Sequence, residues 1–334
     1  MRFGPVPLDQ ALGAILAHSH PGGEGRLRKG RVLEPGDLAI LASEGVAEVV
    51  VARLEPGDLD ENAAAARLAH ALVPDPDAQG LQRSAAFTGR VNLNAMGPGI
   101  VELDVAAIHA LNLVDPAITL ATLPQHCRVT AGTLVGTVKI ISYGVVGAAV
   151  ARACQIAAAA LRVRPVVLRS AGLILTAVPG QDPKLNAKGR RVIGARLAAL
   201  GMELVEVCEV AHDEAAVAAA LRDLRGDMAL ILTGSATSDL YDTAPQAVRR
   251  AGGQVARFGM PVDPGNLLFL GEQAGRPVVG LPGCARSPAL NGADWVLERL
   301  ACGLAVTGEE IAAMGVGGLL KEIPSRPQLR EPAP

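Results

Sequence analysis

Three short segments of the 334-residue chain concentrate residue types that can do chemistry. The first runs Thr233-Gly234-Ser235-Ala236-Thr237-Ser238-Asp239-Leu240-Tyr241-Asp242-Thr243 and follows an apolar run. Small residues directly after a buried strand let backbone N–H groups approach an anion, and the hydroxyls add donors. Asp239 and Asp242 are the candidate catalytic pair and the candidate ligands of a hard cation such as Mg2+, which accepts carboxylates and shares substrate phosphates. The second segment is Met260-Pro261-Val262-Asp263-Pro264-Gly265-Asn266, a rigid turn that presents an acceptor and a donor. The third is Leu281-Pro282-Gly283-Cys284-Ala285-Arg286-Ser287, where Gly283 admits close backbone approach, Arg286 can clamp a phosphate and Ser287 can cap the next helix. Each segment also has a plain reading as a polar turn with an ordinary cap or a solvated Arg. Together they describe a site for an anionic, phosphorylated small molecule. It is neither a nucleophile elbow nor a Walker loop, because Gly-x-Ser-x-Gly and Gly-Lys-Ser/Thr are both missing from the first segment.

Those segments need a scaffold that brings them to one edge. From Pro165 the apolar pattern alternates regularly: strands at 166–177, 203–210, 228–233, 254–260 and 277–281, and helices at 186–200, 213–224, 243–251 and 287–302. Continuous buried strands alternating with helices predict a mostly parallel sheet covered on both faces, a three-layer α/β/α domain. In such a sheet ligands sit outside the carboxyl ends of the strands, where all three segments fall. Ahead of it the spacing predicts a helix over 8–18, a helix over 37–44 capped by Asp37, a strand over 46–54, an Ala-rich helix over 62–72, strands within 117–142 and a helix over 145–162. The expected organisation is an N-terminal α+β region at 1–57, a middle α+β region at 58–164, the α/β domain at 165–305 and an extension at 306–334 whose proline-rich tail, 324–334, is expected to be disordered.

Composition removes several classes of function. The 31 basic and 33 acidic residues give a net charge of −2, so no basic field invites nucleic acid, and aromatic residues at 2% are too few for base-stacking platforms. The five cysteines are scattered without a C-x-x-C pair, which predicts a reducing, cytoplasmic setting and no zinc ribbon. The most apolar stretch, 145–163, carries Arg152, Gln155 and Arg162, too interrupted to span a membrane. No secretory signal is visible. Gly144-x-x-Gly147 lacks the dinucleotide fingerprint, and His18 with His20 makes two metal ligands without a third. Arg26, Arg28, Lys29 and Arg31 read as a solvated loop, and Cys284 as a small buried thiol.

Residues 165–303 resemble the molybdopterin-binding domain of molybdenum cofactor biosynthesis proteins. Thr233-Gly234-Ser235, Asp242, Asp263-Pro264-Gly265-Asn266 and Leu281-Pro282-Gly283-Cys284-Ala285-Arg286-Ser287 carry the resemblance, and 33–51, with Leu41-Ala42-Ser43-Glu44-Gly45-Val46, resembles the segment ahead of this domain in molybdopterin molybdotransferases. The resemblance implies that molybdopterin or its adenylate lies on Thr233, Gly234, Ser235, Ala236, Asp263, Gly265, Asn266, Pro282, Gly283, Arg286 and Ser287, with Mg2+ and molybdate as companions. It implies a transferase of the molybdotransferase type, and it also admits a nucleotidyltransferase that adenylylates the pterin and a non-catalytic carrier that delivers cofactor to a molybdoenzyme or works with a nucleotidyltransferase partner. Homo-oligomers are implied as well. The chain departs from the pattern at Ser235 and Cys284, and 176–180 lacks the carboxylates that molybdotransferases place after the first strand of this domain.

Overall fold

The computed structural model describes residues 1–22 and 25–320. The tail at 324–334 lies outside the described residues. The chain divides into two compact units, one of Met1–Gly97 and Val101–Arg164, the other of Pro98–Ile100 and Pro165 onward.

In the first unit, Arg2–Pro7 pairs antiparallel with Glu48–Arg53, whose other edge holds the short strand Ile15–Leu16. This corrects the helix expected over 8–18. Its apolar residues do recur at helical spacing, but only Leu8–Gln10 winds, as one 3-10 turn. Gly13 at φ +74 then turns the chain, and Leu16 bonds to Arg31 and Gly30 across a ladder instead of along a helix. Helix Pro35–Ser43 begins two residues earlier than the pattern implied, with Glu34 at the N-cap and Asp37 as its capping-box partner in the first turn. Asp37 is buried and accepts from the Glu34 N–H at 3.0 Å and from Arg31 Nε at 2.8 Å. The Arg31 guanidinium holds the Asp37 carboxyl below the ordinary carboxylate range. A carboxyl with a depressed folded pKa stabilises the fold above its unfolded value, about 3.9, and loses that contribution as pH falls through the folded value. Asp37→Asn is therefore expected to lower the urea midpoint at pH 6 and to lower it less at acid pH, below the unfolded carboxyl value, measured by circular dichroism at both pH values.

Helix Glu61–Leu72 starts at Asp60, whose side chain accepts the N–H groups of Asn62 and Ala63. Its buried stripe of Ala64, Ala65, Leu68, Ala69 and Leu72 packs on a four-stranded antiparallel sheet ordered Ile118–Thr122, Leu134–Ile140, Arg90–Ala95, Leu81–Arg83. The helix expected over 145–162 ends at Ile156, and Leu161–Pro165 is a strand.

The second unit carries the site. Its elements are β1 (Ser170–Ala177), α1 (Lys184–Ala198), β2 (Glu203–Ala211), α2 (Glu214–Asp223), β3 (Met228–Leu232), α3 (Thr243–Arg250), β4 (Gln254–Phe258), β5 (Phe269–Gln273), β6 (Arg276–Leu281), α4 (Gly292–Ala301) and α5 (Gly308–Ala313). The sheet order is β2-β1-β3-β6-β5-β4. The first four strands are parallel, and β5 runs antiparallel to both β6 and β4. Alternate residues of one strand feed opposite layers. Leu173 and Leu175 of β1 pack with Ile193 and Leu197 of α1 and Val296 and Leu297 of α4. Ile174 packs with Val217 and Leu221 of α2 and Val248 of α3. The α/β class and mostly parallel sheet are thus observed. The sequence pattern did not announce β5, which joins β6 through Ala274 and Gly275, both at positive φ as a two-residue hairpin turn requires. Among the described residues no helix is long and apolar enough to cross a membrane.

Candidate functional site

The order of the first strands sets where a ligand can sit. From β1 the chain crosses outward to β2 and then back past β1 to β3, so the crossovers diverge at the carboxyl ends of β1 and β3. Such a switch point leaves a crevice outside the strand ends. The wholly buried strand β3 ends there in Thr233 and Gly234. The Gly234 N–H donates to Thr176 Oγ1 at 2.7 Å, and that hydroxyl lies 2.9 Å from His212 Nδ1 at the end of β2. A Cβ on Gly234 would collide with Gln181 Oε1 and lie 2.8 Å from the Thr176 carbonyl, so only glycine fits this approach.

Beyond Gly234 the loop is held by its own carboxylates. Asp242 caps α3, accepting from the Thr243 N–H at 2.7 Å and, through its other oxygen, from the Ser238 N–H at 3.0 Å. Asp239 accepts from the Tyr241 N–H at 2.7 Å. Thr233 Oγ1 closes the start of the loop onto the Ser235 carbonyl. Among the described residues the N–H groups of the exposed Ser235 and Ala236 have no protein acceptor. Tyr241 is exposed, with the Arg249 guanidinium 5.4 Å from its ring centre.

The loop after β6 brings the cation. Gly283–Arg286 is a single 3-10 turn, and Arg286 folds inward to 7% exposure. Its Nη2 donates to the Thr233 carbonyl at 2.8 Å, which joins the first and third segments directly. Its Nε is buried without a partner, and no carboxylate pairs with it among the described residues. Burial pushes the guanidinium below its ordinary pKa, yet an Arg remains charged. Ser287 does not cap α4, correcting the sequence reading. The cap is Asn291, because α4 begins only at Gly292, and the Ser287 hydroxyl accepts instead from the Ala289 N–H at 3.3 Å. Asn291 and Asp294 form a capping box, and Asn291 Nδ2 lies 3.1 Å from Cys284 Sγ. Cys284 is exposed rather than buried.

The Asp263–Asn266 turn stands at the same end of the sheet, between β4 and β5. The Pro264 carbonyl accepts from the Gly292 N–H at 2.8 Å, and Gly265, at φ +146, lets the chain pass that helix start. Asn266 is exposed, Pro282 is buried and Gly283 is open to solvent. The three segments therefore gather at one end of the sheet, the first and third in direct contact and the second on the cap of α4.

Two features of the candidate site escaped the sequence reading. One is Arg196 on α1, which donates to the carbonyls of Ala285 at 2.8 Å, Ser287 at 2.8 Å and Ala289 at 3.0 Å and pairs with Asp294 at 2.6 Å. The other is a polar relay beside the switch point: Gln181 Nε2 donates to Asn186 Oδ1 at 3.0 Å, and Asn186 Nδ2 donates to Glu209 Oε1 at 2.7 Å. Asn186, at 2% exposure on the core-facing stripe of α1, was the visible signal. Among the described residues no three His, Cys, Asp or Glu side chains gather as a ready-made metal cage.

Residues 184–301 match the family model described as a probable molybdopterin binding domain, and this part of the chain is a domain of that family. Residues 5–53 match a model described as a domain of unknown function. No curated protein matches the chain by sequence. Similar solved structures include the molybdopterin biosynthesis MoeA protein of Pyrococcus horikosii, at 14% identity over 90% of this chain and 76% of that one, with a TM-score of 0.31. A molybdenum cofactor biosynthesis protein of Pyrococcus furiosus aligns at 14% identity over 93% of this chain and 65% of that one, TM-score 0.24. The molybdopterin biosynthesis enzyme MoaB of Thermus thermophilus aligns at 16% identity over 40% of this chain and 97% of its own, TM-score 0.26. At these values the superpositions define no shared whole-chain architecture.

Proposed function

We propose that the second unit binds molybdopterin or its adenylate by the phosphate, at the carboxyl ends of β3 and β6, and serves in molybdenum cofactor biosynthesis. The observation that carries this reading is Arg286, a buried cation without a carboxylate partner. A buried charge is costly unless paired, so an unpaired one bonded to the Thr233 carbonyl, at the base of the loop that carries the free N–H groups, is complementary to an incoming anion. Ser235 and Ala236 supply those N–H groups, and Thr233, Pro282 and Gly283 shape the floor. Asp263, Gly265, Asn266 and Ser287 stand at the same end of the sheet as donors and acceptors for the pterin.

Mg2+ binds through one or two carboxylates plus phosphate and water, which needs no cage. Asp242 has both oxygens engaged by backbone N–H groups, whereas Asp239 engages one. Asp239 is therefore the residue to meet a hydrated cation carried in on the phosphate, where the ion would neutralise charge. The remaining chemistry is positioning by Arg286 and the loop amides.

Gln181 favours a carrier over a transferase. It follows 176–180, the stretch that corresponds to the molybdotransferase carboxylates and holds none, and its neutral amide is committed to Val178 and Asn186. Delivery to a molybdoenzyme, cooperation with a nucleotidyltransferase and homo-oligomer formation follow as parts of the same proposal. Fluorescence titration of the full chain with molybdopterin and with its adenylate is expected to show saturable binding. ATP, Mg2+ and pterin together should release no pyrophosphate. A folded chain that binds neither pterin overturns the reading, and pyrophosphate release replaces the carrier with the adenylylating enzyme.

A further inference from the structure

We propose that the groove between α1 and the edge strand β2 is a second ligand site, for a phosphate ester that also presents an amino group. A cavity of about 450 Å3 lies there, bounded by Leu175, Asn186, Arg190, Arg191, Val207 and Glu209. That volume is in the range of small-molecule sites, roughly 300–1,000 Å3. It owes nothing to the three loops, whose residues are absent from its walls.

The groove is built from one stripe of α1 and one face of the sheet. Asn186 and Arg190 lie one turn apart on the same side of α1, and Arg191 flanks them at the rim of the groove. Val207 and Glu209, two apart on β2, point to the same face. On a helix packed against a sheet this stripe is ordinarily apolar. Here it carries one buried amide, Asn186, and the exposed Arg190 and Arg191 stand beside it at the groove. Asn186 holds Glu209 in place through Oε1, and the second oxygen of Glu209 has no donor among the described residues. It remains an acceptor facing the groove.

The charges are set against the helix that bears them. Lys184, Lys188, Arg190 and Arg191 crowd the first half of α1, whose first turn contains no acidic residue. Cations at that end oppose the helix dipole, and Lys184 with Lys188 is a like-charged pair one turn apart. Among the described residues none of the four is paired with a carboxylate. A bound phosphate relieves the crowding of like charge, and Arg190 and Arg191, in the second turn, offer the forked donors that phosphate oxygens accept. Glu209 then accepts from an amino N–H on the rest of the ligand.

Calorimetric titration of the full chain with pyrophosphate, AMP and IMP tests this. IMP carries a carbonyl in place of the 6-amine of AMP and a proton on the adjacent N1, so with Glu209 placed to accept from the exocyclic amine AMP is expected to bind at least 10-fold tighter. Arg190→Ala/Arg191→Ala, both exposed and without partners, should weaken pyrophosphate and AMP at least 10-fold with an unchanged melting temperature. Glu209→Gln keeps an acceptor for Asn186 and should erase the AMP preference while sparing pyrophosphate. Arg286→Leu should change none of these values, which separates this site from the pterin site. Unaltered pyrophosphate binding in the double variant, or its loss in Arg286→Leu, overturns the proposal.

Discussion

Replacing Arg286 with leucine is expected to weaken pterin-phosphate binding by roughly 10- to 150-fold without lowering the melting temperature. The two effects have different origins. A hydrogen bond to a charged partner contributes about 1.5–3 kcal/mol, and the bound phosphate would lose at least one of them. In the unliganded protein the same side chain is a liability: 7% exposed, with Nε unpartnered and no counter-charge. Replacing a buried charge by an apolar group of similar volume is often neutral or stabilising. Against that gain stands the Thr233 carbonyl, which loses its donor at a cost of about 1–3 kcal/mol. The two terms offset, so affinity and stability separate in this variant. Titration with pterin beside a thermal melt reads both. Undiminished affinity removes Arg286 from the anion site, and a large drop in melting temperature makes it a structural arginine.

The features legible in the sequence were those that depend on neighbours along the chain. The strands of the second unit are continuous apolar runs, and Thr233-Gly234-Ser235 and Pro282-Gly283 mark where they end. Asp242 and Asp213 cap the helices that follow them because a cap is a contact across two or three residues. What stayed hidden depends on partners far off. The 8–18 segment has helical spacing, but Gly30, Arg31 and the 48–53 strand compete for its backbone and win. Strand β5 is five residues long, beside a turn-rich loop, and gains its ladder only from β4 and β6. Arg286 was visible as a candidate phosphate clamp, but its inward fold onto Thr233, 53 residues away, was not. The basic stripe of α1 acquires an opposing carboxylate only when β2 places Glu209 across the groove from it.

Arg196 is the extreme case of a distant partner, and its removal should have the largest effect on stability. At that position the helical period gives no sign of function. Yet its guanidinium reaches three carbonyls of the 285–289 segment and the Asp294 carboxylate, 89 to 98 residues on. Both members of the ion pair are largely buried, at 10% and 13% side-chain exposure. Arg196→Ala would strand Asp294 in that environment and free three carbonyls, and breaking a buried pair by deleting one partner costs about 3–5 kcal/mol. Arg196→Lys restores the charge but not the fork: one ammonium cannot serve Ala285, Ser287, Ala289 and Asp294 from their fixed directions. The lysine variant should therefore recover part of the urea midpoint and little of the pterin affinity, because the 282–287 turn that positions Arg286 is left loose. Equal recovery of both would make Arg196 a charge partner alone. Recovery of stability without affinity identifies it as the residue that fixes the turn on which Arg286 stands.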